Sequence, residues 1–465
     1  GRGVPLIELR TVNGITLHTD SGGWIAFHEP GLMDREVYFA VSGPGYEHVK
    51  DGFGFRGVRL ATKPGTSATV KVKRTNLAER LYRVTGQGIY RDTTLLGLKA
   101  PLPQPNLNAG VLGQDSVQAT PYRGKIFWLW GDTNVASYPL GNFQTTAAWS
   151  PLPRSQAELG NEGGRPGAGV ALDYFTDAKR KDGLRRMVPF KEPGVVWLFG
   201  LLTVQDEHGR EALLAHFTRR KSLAEQLEHG LVRFDDEAGV FKRIATLDVK
   251  ESWRYPRGNA VRVKQADGDY FYFAAPFCHT RVPANWRALL DPTRYEALAV
   301  DATGMYVWQR DLAPTTQGDE QKLLRDGKLK PDQARYALTD ASTGKSVAMH
   351  GGSIAWNNYR KKWIFIGVQR GDKDAPSFLG EVWYAEADAV DGPWRKAIKV
   401  ASHPKYSFYN PRHHPFFDED AGRTIYFEGT YTHTFSAAPA TTPRYDYNQI
   451  MYRLDLADER LGVIK

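Results

Sequence analysis

Carboxylates, imidazoles and guanidinium groups collect at particular strand ends of this sequence. Asp115 in "GQDSV" stands just before one strand-forming run, and Asp132 and Asn134 in "GDTN" close the run after it. "YPRGNAV" and "FCHTR" place Arg257, Asn259, His279 and Arg281 in the same way around another hairpin. His350 precedes the hairpin "SIAWNNYRKKWIFIGV", Gln369, Arg370 and Asp372 follow it, and Glu381 in "LGEVWYAEAD" begins the next strand. The last set is Asn410, His413 and His414 in "YNPRHHPFFDED", with Glu428, Tyr431 and His433 in "FEGTYTH". Adjacent antiparallel strands put the start of the first beside the end of the second, so each hairpin gathers its polar ends on one face.

Two carboxylates at such a face can divide general-acid and general-base work, the chemistry of glycosidic bond cleavage by water. Asp115, Glu428, Glu381 and Asp132 are therefore the catalytic candidates. Arg257, His279, Arg281, His350, Arg370, Asn410, His413, His414 and Tyr431 are the candidates for binding a substrate. Imidazole also suits zinc and its neighbours in the transition series, which makes His279, His350, His413 and His414 candidate ligands, although their spacing follows no diagnostic metal motif. No cofactor is required by the sequence, and a divalent metal at the same mouth would be compatible with these residue types.

The elements that must position these groups are five aromatic strands: "GKIFWLWGDTN", "PGVVWLFGLLTV", "GDYFYFAAPF", "KKWIFIGVQ" and "GRTIYFEGTYT". They recur every ~60 to 90 residues, the span of a four-stranded propeller blade with long loops. Further strand runs separated by turn residues follow each, and only "SLAEQLEHG" and "QKLLRDGKLKPDQARY" read as short helices. The spacing predicts an all-β chain with a five-bladed β-propeller. In the second blade the long apolar run serves as either first or second strand, with Glu192 as its polar end. Residues 1–90 alternate like a small antiparallel β-sandwich and form the expected accessory domain. Residues 91–465 form the expected propeller, of which 91–110, rich in proline, glycine and asparagine, are a linker.

Of the 465 residues, 41% are hydrophobic and 12% aromatic, ample for a packed core and far from a disordered composition. The single cysteine, Cys278, excludes an internal disulfide and a thiolate-clustered metal site. No window approaches 18 uninterrupted apolar residues, so no membrane-spanning helix is expected. The formal net charge of +9 favours acidic partners. Its densest basic clusters, "AKRKDGLRR" and "FTRRKS", are short and lie beside turns, and no nucleic-acid-binding signature accompanies them. Nucleic acid is not an expected partner.

The unit "QDSVQATPYRGKIFWLWGDTN" resembles the first blade of the five-bladed propeller glycoside hydrolases of the arabinanase, xylosidase and invertase clans, in which an aspartate opens the innermost strand. The resemblance implies that Asp115 is the base or nucleophile. In those families the general acid is a glutamate of the third blade; here that position reads "RGNAV", so Glu428, Glu381 and Glu192 compete for the role. Residues 1–90 look like the small sandwich modules fused to secreted carbohydrate-active enzymes, and the chain as a whole also resembles secreted bacterial proteins.

The implied function is hydrolysis of a poly- or oligosaccharide, acidic ones included, in a secreted or periplasmic setting after loss of a signal segment. Two alternatives stand beside it. A polysaccharide lyase would use His279, His350, Tyr409 or Tyr431 to take the proton α to a uronate carboxyl group while Arg281 neutralises that carboxylate. A non-catalytic propeller would use the same mouth only to bind carbohydrate. The sequence sets no oligomeric state.

Overall fold

A computed structural model describes residues 2–142, 145–153, 168–371 and 376–464, with the backbone alone for 138–142. Asp372 lies outside the described residues. The chain is mostly β. Beyond an N-terminal four-stranded sheet, five sheets of four or five strands follow one another along it, and each is antiparallel apart from one short parallel edge strand, Thr339–Asp340. They open with the strands Gln118–Tyr122, Val195–Gln205, Asn259–Gln265, Met349–Asn357 and Ser407–His413.

The five aromatic strands fall on five different sheets, and their burial explains their composition. Phe127 and Trp128 are neighbours on Lys125–Trp130, yet point into different clusters. Phe127 packs with Leu198 and Phe217 of the second sheet; Trp128 packs with Tyr426 and Met451 of the fifth. The same arrangement repeats at Phe273 against Leu202, at Phe365 against Tyr272 and at Phe427 against Ile364. Each sheet therefore lies between two others and is apolar on both faces. That is why its inner strands read as continuous runs rather than alternating ones. The five clusters form a closed cycle, the last joining the fifth sheet to the first.

The opening strands also touch in a cycle. Gln118 Nε2 donates to the Leu198 carbonyl, Asn259 Nδ2 to the Gly352 carbonyl, and the His413 amide to Ser353 Oγ. Val195–Gln205 lies against Asn259–Gln265, and Arg412 Nη2, reaching the Ala119 carbonyl, completes the circuit.

One sequence reading changes and one open alternative is resolved. "SLAEQLEHG" was expected as a helix, but Gln226–Asp235 is a strand, because it pairs with Glu211–Arg220 on one side and Val240–Leu247 on the other. The long apolar run of the second sheet is its first strand, so Glu192 precedes it, exposed and paired with Arg243 at 2.9 Å.

The N-terminal segment contributes a four-stranded sheet of Glu8–Thr11, Thr16–His18, Glu36–Ser42 and Gly57–Ala61, with a small cluster of Ile7, Val41 and Tyr46. Glu79–Arg83 leaves that sheet and pairs with Asn448–Asp455 as the outer strand of the fifth sheet. Arg80, fully buried there, donates to the carbonyls of Pro5, Leu6 and Pro44, tying the last sheet to the first residues of the chain. Among the described residues no helix is long and apolar enough to cross a membrane.

Candidate active site

Asp115 stands just before the first strand of the first sheet, and Asp132 just after its second strand. The ladder from Gln118↔Leu129 to Tyr122↔Lys125 brings the two together. The Asp132 amide donates to Asp115 Oδ1 at 2.9 Å, and the Gly131 amide to the Asp115 carbonyl at 2.9 Å. Gly131 is required by this approach: a Cβ there would lie 2.3 Å from Asp115 Oδ1. Both aspartates are half-buried.

Their surroundings separate their roles. Asp115 Oδ2 accepts the Tyr409 hydroxyl at 2.6 Å, and Tyr447 and Ser116 supply further hydrogen bonds. Burial pushes the Asp115 carboxyl upward while these donors favour its ionised form. Asp132 has one side-chain donor, the Trp197 indole N–H at 3.0 Å. Burial, reinforced by the charge of Asp115, pushes Asp132 up to about 7. Asp115, with more donors, is the carboxyl better held as an anion, and Asp132 is the better proton carrier.

The fifth sheet supplies the opposite wall. Pairing of its first two strands slips between Tyr409 and Arg412, where Asn410 takes a left-handed φ of 50°. This irregularity turns three nearby side chains toward the first sheet: Tyr409 to Asp115, Asn410 Nδ2 to Ser116 Oγ at 2.8 Å, and Arg412 to the Ala119 carbonyl at 2.9 Å. Phe435, 59% exposed, sits edge-on to Tyr409.

His350, Arg370 and Arg257 are exposed at the starts and ends of neighbouring strands. Burial and the charge of Arg370 together lower His350. Asn259 accepts from Arg412 Nη1. Asn134 lies on the short strand Thr133–Val135 beside Gly113.

Other sequence candidates have internal duties, and the expectation that they line the mouth is corrected. Glu428 is fully buried and bonded to His414 Nε2 at 2.7 Å, in contact with neither solvent nor Asp115. Glu381, 1% exposed, is held by Lys399 at 3.0 Å and by Ser402 at 2.8 Å. His279 turns to the Ala275 carbonyl and is lowered to about 4 by burial. Arg281 pairs with Glu296 at 2.8 Å and lies against Tyr270 and Trp308. His413 bonds to Asp418 at 2.8 Å, and Tyr431 stacks on Tyr406. The common cause is that a hairpin end can face a neighbouring sheet as well as the ring axis. Among the described residues no group of three or more His, Cys, Asp or Glu side chains is placed to hold a metal ion, and the four candidate histidines do not converge.

Tyr409 as the donor to Asp115, Trp197 as the donor to Asp132, and Arg412 were not singled out for these contacts from sequence. Arg412 lay inside "NPRHH" between the polar residues that were. A groove lined by Val84, Leu102, Val170 and Tyr174 involves none of these carboxylates.

No family model and no curated protein matches the chain. Among solved structures it is similar to a GH43_1 enzyme from Xanthomonas citri complexed with xylose, at 10% identity and a TM-score of 0.37, covering 76% of this chain and 90% of that one. It is also similar to an exo-1,5-alpha-L-arabinanase from a bovine ruminal metagenomic library, at 9% identity and a TM-score of 0.37, covering 75% and 94%. A third is an endo-1,5-alpha-L-arabinanase from Thermotoga petrophila RKU-1 in complex with TRIS, at 10% identity and a TM-score of 0.34, covering 77% and 74%.

Proposed function

We propose that the chain is a glycoside hydrolase acting outside the cytoplasm. In this reading the five sheets are the blades of a propeller, Glu79–Arg83 closes its ring, and the residues before that strand form an accessory β module. The observation that carries the proposal is the Asp115–Asp132 pair at the mouth of the ring, with one carboxyl richly hydrogen-bonded and the other held near 7.

Asp132 donates its proton to the glycosidic oxygen as the bond to the anomeric carbon breaks. Asp115 either takes a proton from the attacking water or attacks the anomeric carbon itself. In the first case Asp115 ends protonated and Asp132 ionised, and exchange with solvent restores the pair; in the second, ionised Asp132 takes a proton from the water that cleaves the glycosyl–Asp115 ester, which restores both carboxyls. Tyr409 and the Asp132 amide hold Asp115 in place, and Trp197 orients Asp132. The anomer first released distinguishes the two routes.

The test is a screen of glycans by reducing-end release, with Asp115→Asn and Asp132→Asn beside the parent. Removing a general acid or base typically costs about 10²- to 10⁴-fold, so each variant should lose at least the lower figure. Parental rates in both variants on a glycan the parent cleaves would refute the assignment.

A further inference from the structure

Among the described residues, three arginines around this mouth have no carboxylate partner. Arg220, 8% exposed, donates to the Ser222 and Leu223 carbonyls and to Gln226 Oε1 at 3.2 Å. Arg257 donates to the same Gln226 oxygen at 2.9 Å. Two guanidinium groups thus share one neutral amide oxygen, and both burial and the charge of Arg220 lower Arg257. Arg412, also 8% exposed, reaches only the Asn259 amide oxygen and the Ala119 carbonyl. Its cross-strand neighbour is Glu428, which burial pushes up to about 8 and so toward the neutral form. Among the described residues none of the three forms an ion pair, whereas Arg219, Arg233 and Arg243 of the second sheet all do.

These cations belong to one region. Arg257 and His350 each lie two residues before Asn259 and Gly352, which are bonded to each other at 2.9 Å. Arg412 meets Asn259 from the far side. Arg370 joins His350, its amide bonded to the Ala348 carbonyl. Clustered like charges with neutral acceptors are costly to gather unless an anion occupies the space between them. Guanidinium groups match oxyanions by paired, charge-assisted hydrogen bonds.

We infer that the mouth takes a sugar bearing an oxyanion, a uronate carboxylate or a sulfate ester, bound by Arg257 and Arg370 at the rim with Arg412 beneath. The inference rests on the hydrolase reading and names its substrate class.

The test is calorimetric titration of the Asp115→Asn chain with glucuronate, glucose 6-sulfate and glucose, at low and moderate salt. The anionic sugars should bind at least about tenfold tighter than glucose, in line with charge-assisted hydrogen bonds, and more weakly as salt rises. The stronger of the two anions identifies the group. Arg257→Gln and Arg370→Gln, at exposed positions, should each weaken the anionic sugar several-fold with unchanged melting temperature. Equal affinity for glucose, indifference to both substitutions, or no binding of any sugar would overturn the inference. Cleavage of a neutral glycan that depends on Asp115 but not on Arg257 would leave the hydrolase reading standing and remove this one. Anion-selective binding that depends on Arg257, with no cleavage of any glycan by the parent, would do the reverse.

Discussion

The Tyr409 hydroxyl donates to Asp115 Oδ2 at 2.6 Å across 294 residues of sequence. Burial holds the tyrosine well above its ordinary range, so it remains a donor throughout the working pH range. Tyr409→Phe keeps the ring against Phe435 and removes the hydroxyl's hydrogen bonds to Asp115 and Tyr447. Loss of a donor to the ionised form raises the carboxyl pKa. The variant should show its acid limb at higher pH and about a 10- to 100-fold lower kcat/KM, with stability within about 1–2 kcal/mol of the parent. A pH–rate profile with a parallel denaturant titration checks both.

Activity should rise with pH as Asp115 ionises and fall as Asp132 loses its proton, about 7. The Trp197 indole N–H favours ionised Asp132, so Trp197→Phe should move the alkaline limb to higher pH. An unmoved or lowered limb would show that Asp132 does not set it.

Gly131→Ala is expected to silence the site while sparing the fold. The backbone conformation tolerates a side chain, but the new Cβ falls 2.3 Å from Asp115 Oδ1 and must displace the carboxylate from its donors. A loss of about 100-fold or more in kcat/KM, with unchanged far-ultraviolet circular dichroism, is the expected result.

Glu428 and His414 give stability a particular pH dependence. Glu428 is pushed from its ordinary 4.5 up to about 8, so its contribution is complete below 4.5 and is lost as pH rises toward 8. His414 is driven well below 6.5, so its contribution is present above 6.5 and is lost as pH falls. Of these two, only Glu428 acts between 6.5 and 8, where its contribution should fall by on the order of 1–2 kcal/mol. Denaturant titrations at both pH values should show a clearly larger decline in the parent than in Glu428→Gln, in which Asp132 still titrates up to about 7.

The sheets were legible because strands apolar on both faces leave unbroken aromatic runs, as at Lys125–Trp130 and Thr424–Thr432. The meeting of Asp115 with Asp132 was legible because hairpin pairing alone joins them. Glu428, His413 and His414 misled for the same reason the strands were clear: a second internal face lies behind the first, and sequence alternation does not say which one a polar residue meets. Tyr409 and Arg412 depend on a slip in pairing at Asn410 that no local pattern announces. Glu79–Arg83 reads as part of the N-terminal segment because its hydrogen-bonding partner lies at the far end of the chain.

That strand also sets the order in which the molecule can be completed. Glu79 meets Arg453 across 374 positions, so the ribosome finishes the one long before the other exists. A strand left waiting exposes its backbone to any other chain, and the hazard lasts as long as the wait. The charged residues of "ERLYR" discourage such pairing, and the hold of Arg80 on Pro5, Leu6 and Pro44 keeps the strand against neighbours made at the same time. For this chain, the sheet that Glu79–Arg83 completes cannot lock until Asn448–Asp455 has been made.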